Sequence, residues 1–243
     1  MSTATIEYLL RSLQLRDKVS DEEKVELVRI ISQTKIFEPG ASIVQEDVTP
    51  THSCLLTEGL AARCHYVVNG NRQISAVHIP GDFMDLHNFL LKRLDHGIVA
   101  LTRCKVALVA HENLHAVTEK YPHLTRLLWL STAIDAAIHR AWVVTMGRHS
   151  ALSQLSHFIC EMYARHEAIG LATNGKFDFA MSQAQLSDCL GLSLVHVNRN
   201  LQELRKLGLL VWRDQTIEIK NWEKLQELAD FDPAYLSFMK VPR

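Results

Sequence analysis

Several protein classes are excluded by what the sequence lacks. No stretch approaches the ~18 consecutive apolar residues of a membrane-spanning helix. The N-terminus, MSTATIEYLLRSLQLRDKVSDEEK, carries charges where a signal peptide has its apolar core. The net charge of -1 shows no overall basic excess, so a nucleic-acid partner would have to bind a local patch. We expect a cytoplasmic protein that does not span a membrane.

Motifs of metal sites and of catalysis are also missing. None of the five cysteines stands in a Cys-x-x-Cys pair, which excludes zinc-ribbon and thioredoxin-like motifs and favours buried, reduced thiols. The chain contains no GxSxG, HExxH, P-loop or GxGxxG motif, and no pair of carboxylates stands out. We therefore expect neither an enzyme nor a metal site.

The 243 residues, 47% of them hydrophobic, are enough for one or two domains with a sizeable core. Residues 4–34 are predicted to form two short helices, the second capped by Ser20 with Glu23 at the reciprocal position. From Ile36 to Ala110 come short apolar runs: ASIV, SCLL, ARCHYVV, QISAVHI, GIVALT and KVALVA. Turn residues separate them at Gly40, Gly59, Asn69-Gly70 and Pro80-Gly81. This spacing predicts a barrel or sandwich, with a hairpin at Asn69-Gly70.

From about Glu112 the pattern becomes helical. Apolar residues recur at alternating spacings of three and four, at Leu127, Leu130, Ile134, Ala137, Ala141 and Val144. This seam fits an ordinary amphipathic core helix, or a helix that pairs with its copy in a second chain. The small side chains of Ala137 and Ala141 would let two such helices approach closely. A further helix is predicted from about Ser150 to Ile169.

A helix, a glycine turn and a second helix are predicted for MSQAQLSDCLGLSLVHVNRNLQELRKLGLL. Ser182 caps the first helix with Gln185 at the reciprocal position, Gly191 ends it, and Ser193 caps the second. The buried side of the second helix is expected to contain Val197, Leu201, Leu204 and Leu207. Two runs, LLVW and TIEI, flank the polar turn at residues 213–215 and predict a β-hairpin wing.

The polar front of the second helix indicates DNA binding. In a helix-turn-helix this helix lies in the major groove, where arginine binds guanine and asparagine binds adenine through paired hydrogen bonds. The alternative is an ordinary helical hairpin with a solvated front. We assign DNA contacts to Gln183, Ser193, His196, Asn198, Arg199 and Gln202.

Together these stretches resemble the CRP/FNR family of bacterial transcription regulators. The helix-turn-helix stretch is similar to that of the family, and IPGDF followed by ALTRCKVALV resembles its cyclic-nucleotide-binding-type β-roll. The resemblance implies an α+β fold. It places a jelly-roll-like β-roll with flanking helices at residues 1–120, a long dimerisation helix at 121–147 and a winged helix-turn-helix domain at 148–243.

The same resemblance implies a homodimer that regulates transcription, binds a two-fold symmetric site on double-stranded DNA and contacts RNA polymerase. The alternative is a β-roll sensor that acts through protein partners and has a degenerate DNA-binding domain. The family's Ser-Arg-Glu-Thr-Val-Ser-Arg run corresponds here to SLVHVNR, in which Val195 replaces the glutamate. Arg199 matches the last arginine, and the resemblance implies that it is the main base reader. The target sequence beyond one guanine, and the sign of regulation, stay open.

The effector pocket departs from the pattern of the cyclic-nucleotide binders. Those proteins carry Gly-Glu-Leu just after Gly-Asp-Phe, and an Arg-Ser/Thr-Ala triplet before the last strands. Here Leu86 stands near the glutamate position, and LDH at residues 94–96 replaces the triplet, with Arg93 one residue away. Cyclic AMP is therefore not expected to bind, and the effector is unknown. The candidate pocket residues are Gly81, Asp82, Phe83 and Arg93.

No cofactor is expected. The iron-sulfur members of the family use cysteines near the N-terminus, and the first cysteine here is Cys54. A haem would need histidine or cysteine ligands. The 13 histidines supply the candidates His65, His78, His87 and His96, but a lone histidine is more often structural.

Overall fold

The structure, a computed structural model, describes residues 3–68, 70–91 and 93–243. Two compact units divide the chain. Unit 1 contains the residues up to His65, Ser75–Asp135 and Phe238–Arg243, and unit 2 contains Tyr66–Ile74 and Ala136–Ser237. The architecture is α+β, as predicted.

Unit 1 begins with a 3-10 turn, Thr3–Ile6, and two helices, α1 (Glu7–Gln14) and α2 (Asp21–Arg29). The predicted capping box of α2 is present. The Glu23 amide donates to Ser20 Oγ at 3.2 Å, and the Ser20 amide donates to Glu23 Oε2 at 2.8 Å. These reciprocal bonds satisfy two amides that the first turn leaves without partners.

Seven antiparallel strands form two sheets in unit 1 and the adjoining hairpin. Their orders are β1-β7-β3 and β2-β6-β4-β5. The strands are β1 (Ile31–Phe37), β2 (Ser42–Val44), β3 (His52–Glu58), β4 (Ala61–Tyr66), β5 (Arg72–His78), β6 (Gly97–Ala100) and β7 (Cys104–Ala110). Six of them match the six predicted apolar runs. Of the hairpin turn predicted between β4 and β5, Asn69 lies outside the described residues.

Strand β1 corrects the prediction of helix over residues 4–34. Its side chains are mostly exposed and polar, so no apolar alternation indicates a strand. The strand forms because it pairs with β7, where Thr34 lies opposite Ala107 and Phe37 opposite Cys104. Backbone pairing with a remote segment therefore overrides the local pattern.

Three helices complete unit 1 and lead into unit 2. They are α3 (Asn88–Leu91), α4 (His111–Lys120) and α5 (Pro122–Arg148). A proline suits the first position of α5, because the amide that it lacks would have no partner there. Two residues of the seam predicted to pair with a second chain, Leu127 and Ile134, are buried within the chain itself. Leu127 packs in the core of unit 1 with Leu124 and Leu128, so the structure assigns it to the core and not to an interface.

The free face of α5 lies beside this buried face. Leu130 and Ala137 of the predicted seam are half-buried, as is Ala141, and Val144 is 57% exposed. Ala133 and Arg140 are exposed and fall between them. The surface stripe with heptad spacing is therefore Leu130, Ala133, Ala137, Arg140 and Val144.

Unit 2 is organised around α6 (Ala151–Ala168), which begins at the N-cap Ser150 and packs against α9 (Trp222–Ala229). A core of aromatic rings includes Phe179, whose ring centroid lies 5.9 Å from that of Phe158 and 5.6 Å from that of Phe177. The remaining elements are β8 (Ala172–Thr173), β9 (Lys176–Asp178), α7 (Gln183–Leu190), α8 (Leu194–Lys206), β10 (Leu210–Arg213), β11 (Thr216–Ile219) and a 3-10 turn, Pro233–Leu236. The sheet order is β10-β11-β9-β8.

All five cysteines are buried, reduced thiols, as the sequence predicts. None of the helices in the described part of the chain combines the length and apolarity that crossing a bilayer requires.

Candidate DNA-binding interface and effector region

The two helices of the helix-turn-helix are held by local hydrogen bonds. Ser182 Oγ accepts from the Gln185 amide at 3.2 Å, and Gln185 Oε1 accepts from the Ser182 amide at 2.8 Å. Gly191 ends α7 with a φ of 62°, in the left-handed region that favours glycine. Ser193 Oγ then accepts from the His196 amide at 3.3 Å and caps α8. The predicted caps and turn are all confirmed.

One side of α8 is buried, and its residues differ in part from those predicted. Val197, Leu201 and Leu204 are buried, as expected. Leu207 is 51% exposed, because α8 ends at Lys206 and the chain turns away there. Asn200 takes a buried position that the apolar pattern did not indicate.

The opposite side of α8 presents the predicted reading residues to solvent. His196, Asn198, Arg199 and Gln202 are all exposed. Gln202 Nε2 donates to Asn198 Oδ1 at 3.3 Å, which restrains both amides. Within the described residues the Arg199 guanidinium has no hydrogen bond or ion pair, so all of its donors stay available to a ligand.

A groove of about 380 Å³ runs beside α8. Three of the six predicted DNA-contact residues line it, and three do not. Gln183, Asn198 and Gln202 line it together with residues of the wing, whereas Ser193, His196 and Arg199 lie outside it. The wing turn at Asp214 and Gln215 has positive φ at both residues, as a tight hairpin requires.

Sequence reasoning did not identify Arg213 of the wing, which lines the groove together with Arg205 and adds positive charge there. Val195, the residue at the family's glutamate position, is 75% exposed on the first turn of α8. An apolar residue on the polar front of a helix is the signal that could have assigned it a contact.

The Gly81–Phe83 turn performs a structural role. Gly81 has a φ of 97°, and a Cβ there would lie 2.8 Å from the carbonyl carbon of Tyr8. Asp82 Oδ2 accepts from the Ile79 amide at 2.9 Å, and Phe83 forms an isolated bridge with Leu55. These contacts hold the turn against β3 and α1.

Arg93 faces away from the protein interior. Its side chain is 73% exposed and pairs with the exposed carboxylate of Asp47 at 2.8 Å. The expectation that Arg93 lines the candidate effector pocket is therefore corrected, because the guanidinium faces solvent.

Arg63 on β4, unlike Arg93, is buried and bonds to a residue of α5. Its side chain is 4% exposed and donates to the Met84 carbonyl at 3.1 Å and to Asp135 Oδ2 at 2.9 Å. Removing the carboxylate partner of a buried guanidinium typically lowers the free energy of unfolding by about 3–5 kcal/mol. The pair therefore ties β4 to α5 without any added ligand.

Two histidines lie beside the buried His96. The ring of His96 lies 5.2 Å from that of His87 and 6.0 Å from that of His65. Burial, and then the charge of Arg63, lower the pKa of His96 to about 4. His96 is therefore neutral at pH 7, and its 2.6 Å contact with Asp95 is a hydrogen bond of the neutral ring.

A buried carboxyl group, Asp85, lies in the same region. Burial raises the pKa of Asp85 to about 6, although the Cys54 amide donates to it at 2.6 Å and stabilises its ionised form. The interior of the β-roll thus contains the guanidinium of Arg63, the carboxyl group of Asp85 and the imidazole of His96.

Two stretches of the chain match the descriptions of known protein domains. Residues 153–228 match the description of a Crp-like helix-turn-helix domain, and residues 34–121 match that of a cyclic nucleotide-binding domain. The two matches correspond to the helix-turn-helix region and to the β-roll.

Similar proteins include several bacterial regulators. A probable transcriptional activator of Rhizobium leguminosarum bv. viciae is 25% identical over 174 residues, which cover 72% of this chain and 71% of that protein. The nitrogen fixation regulation protein FixK of Azorhizobium caulinodans is 22% identical over 185 residues, covering 76% and 74%. The solved structure of FixK2 from Bradyrhizobium japonicum is 25% identical, with a TM-score of 0.72, and covers 81% of this chain and 96% of that one.

Proposed function

Because the chain belongs to the CRP/FNR family of transcription regulators, we propose that it binds a two-fold symmetric DNA site as a homodimer and contacts RNA polymerase in the cytoplasm. Members of this family are not enzymes, and they act as dimers. Symmetric dimers place their two reading helices in successive turns of the major groove, about 34 Å apart.

The observation that carries this proposal is Arg199 on the exposed face of the capped helix α8, where its guanidinium has no partner among the described residues. A free guanidinium on the first turns of such a helix has the geometry to bind O6 and N7 of one guanine. Asn198 is held by Gln202 and lies beside it, where it reads a base or braces Arg199. Val195 adds an apolar contact suited to a thymine methyl group.

The surrounding residues bind the DNA backbone in this proposal. Ser193 and His196 lie at the start of α8, where backbone contacts position a helix without specifying sequence. Arg205 and Arg213 supply the local positive charge that the net charge of -1 does not indicate.

The surface stripe of α5 supports the dimer. Its members at 133 and 137 are alanines, which let two helices approach closely around a two-fold axis. We propose that Leu130, Ala133, Ala137 and Val144 meet the same residues of the second copy, while Leu127 and Ile134 stay buried within their own chain.

Selection of bound sequences from randomised duplex DNA tests the proposed function. We expect enrichment of an inverted repeat with a guanine in each half-site, and half-site centres about one helical turn apart. DNA affinity should fall steeply as the salt concentration rises, because basic residues that contact phosphates release the counterions bound there. A folded protein that enriches no sequence would contradict the proposal and favour a sensor that acts through protein partners.

Cyclic AMP and cyclic GMP are expected not to bind. The Arg63–Asp135 pair already fills the buried position beside α5, and Arg93 faces solvent. Isothermal calorimetry at millimolar nucleotide should show no saturable heat. Saturation with a micromolar constant would overturn this expectation, and its loss in Arg93→Ala would identify Arg93 as the phosphate ligand.

A further inference from the structure

The tip of the hairpin between β4 and β5 belongs to unit 2, although both strands pair within the β-roll sheet. This hairpin tip, residues 66–74, groups with the helix-turn-helix region and not with the rest of the strands. Two of its side chains, Arg72 and Gln73, contact the last turn of α7.

Arg72 forms the first contact. Its Nε and Nη2 atoms both donate to Asp188 Oδ2, at 2.9 and 2.6 Å. Both side chains are partly buried, so solvent screens the pair less than it screens a fully exposed one. Two bonds from one planar guanidinium also restrict the orientation of the carboxylate.

Gln73 forms the second contact. Its Nε2 atom donates to the Cys189 carbonyl at 3.2 Å and to the Ile74 carbonyl at 3.1 Å. The Cys189 carbonyl is in the last turn of α7, where carbonyls have no partner within the helix. Gln73 therefore acts as a C-terminal cap that comes from a distant part of the chain.

These contacts lie next to the turn that aims α8. Gly191 follows α7 directly, and a Cβ built on it would lie 3.9 Å from Gln73 Oε1. Inside the turn, Ser187 Oγ donates to the Leu192 carbonyl. The turn is thus braced from within by Ser187 and from outside by the hairpin tip.

We propose that Arg72 and Gln73 are positioning residues for DNA binding, which fix the end of α7 and thereby the angle at which α8 presents Arg199. The proposal rests on the proposed DNA-binding function and goes beyond it, because neither residue needs to touch DNA.

Four variants test the proposal: Arg72→Ala, Asp188→Ala, their combination, and the charge swap Arg72→Asp/Asp188→Arg. Fluorescence anisotropy with a selected duplex and with a scrambled duplex gives specific and non-specific Kd values. We expect each single variant to raise the specific Kd about five- to ten-fold, with little change for the scrambled duplex. The double variant should lose no more affinity for the selected duplex than a single variant does. The charge swap should recover most of that affinity.

Asp188→Ala separates positioning from simple electrostatics. Removing a carboxylate near DNA would tighten binding if only charge mattered, whereas loss of the brace weakens it. Titration of the active fraction and circular dichroism show whether the variants are folded. Gln73→Ala provides a second variant with no change in charge, and its specific Kd should rise as well.

Arg103→Ala is the matched control, because Arg103 forms an exposed pair with Glu38 in the β-roll. Its Kd should equal that of the wild type. Unchanged or tighter binding by Asp188→Ala, or a charge swap that recovers nothing, would overturn the positioning role. If the wild type itself binds no DNA specifically, the proposed function fails instead.

Discussion

Ala133→Glu is expected to convert the protein from a dimer to a monomer and to lower its DNA affinity about 10²–10⁴-fold, the gain that two linked binding sites provide. Ala133 lies in the middle of the exposed stripe of α5. In a two-fold pairing each residue of the stripe lies near its own copy, so two glutamates would meet in a closely packed interface. Burying unpaired like charges costs several kcal/mol.

Size-exclusion chromatography with light scattering measures the oligomeric state, and anisotropy measures DNA binding. Glutamate is a good helix former, so the fold of the monomer should persist. Val25→Glu is the matched control, because Val25 is also an exposed helical residue but lies on α2. An unchanged dimer in Ala133→Glu would mean that another surface pairs the two copies.

Arg199→Ala is expected to remove the preference for one base pair in each half-site. The lost pair of hydrogen bonds to guanine costs about 1–3 kcal/mol, and in a dimer the loss occurs twice. Because Arg199 has no partner within the described residues, its truncation leaves no protein group newly unpaired. Arg199→Ala should therefore weaken DNA binding without lowering the free energy of unfolding.

Parallel selections on randomised DNA with the wild type and Arg199→Ala measure this effect. Arg205→Ala removes the same charge from the end of α8 and is the matched control. It should weaken all sequences about equally and reduce the salt dependence, without changing the selected motif. If Arg199→Ala selects the same motif with the same stringency, another residue reads the site.

The helix-turn-helix could be predicted in detail because its signals are local. Ser182, Gln185, Gly191 and Ser193 act through hydrogen bonds and backbone angles within a few residues. The error at Leu207 arose where the apolar spacing continues past the end of the helix. Periodicity does not show where a helix ends, whereas caps do.

The β-roll was predictable as a set of strands but not as a site. Apolar runs identified six strands, whereas β1 was missed because its exposed polar residues form a strand only by pairing with β7. The family resemblance directed attention to Arg93, which faces solvent. Nothing in the local pattern distinguished it from Arg63, which is buried.

The sequence by itself determined six of the seven β-roll strands, the family and the helix that presents Arg199, because periodicity, capping and motifs depend on neighbouring residues. Only the tertiary structure decided which face of α5 stays free, which arginine enters the β-roll and which residues cap α7. These depend on partners far apart in the chain: Asp135 lies 72 residues from Arg63, and Asp188 lies 116 residues from Arg72. Contacts of that kind form only when folding brings remote segments together, and the local pattern does not encode them.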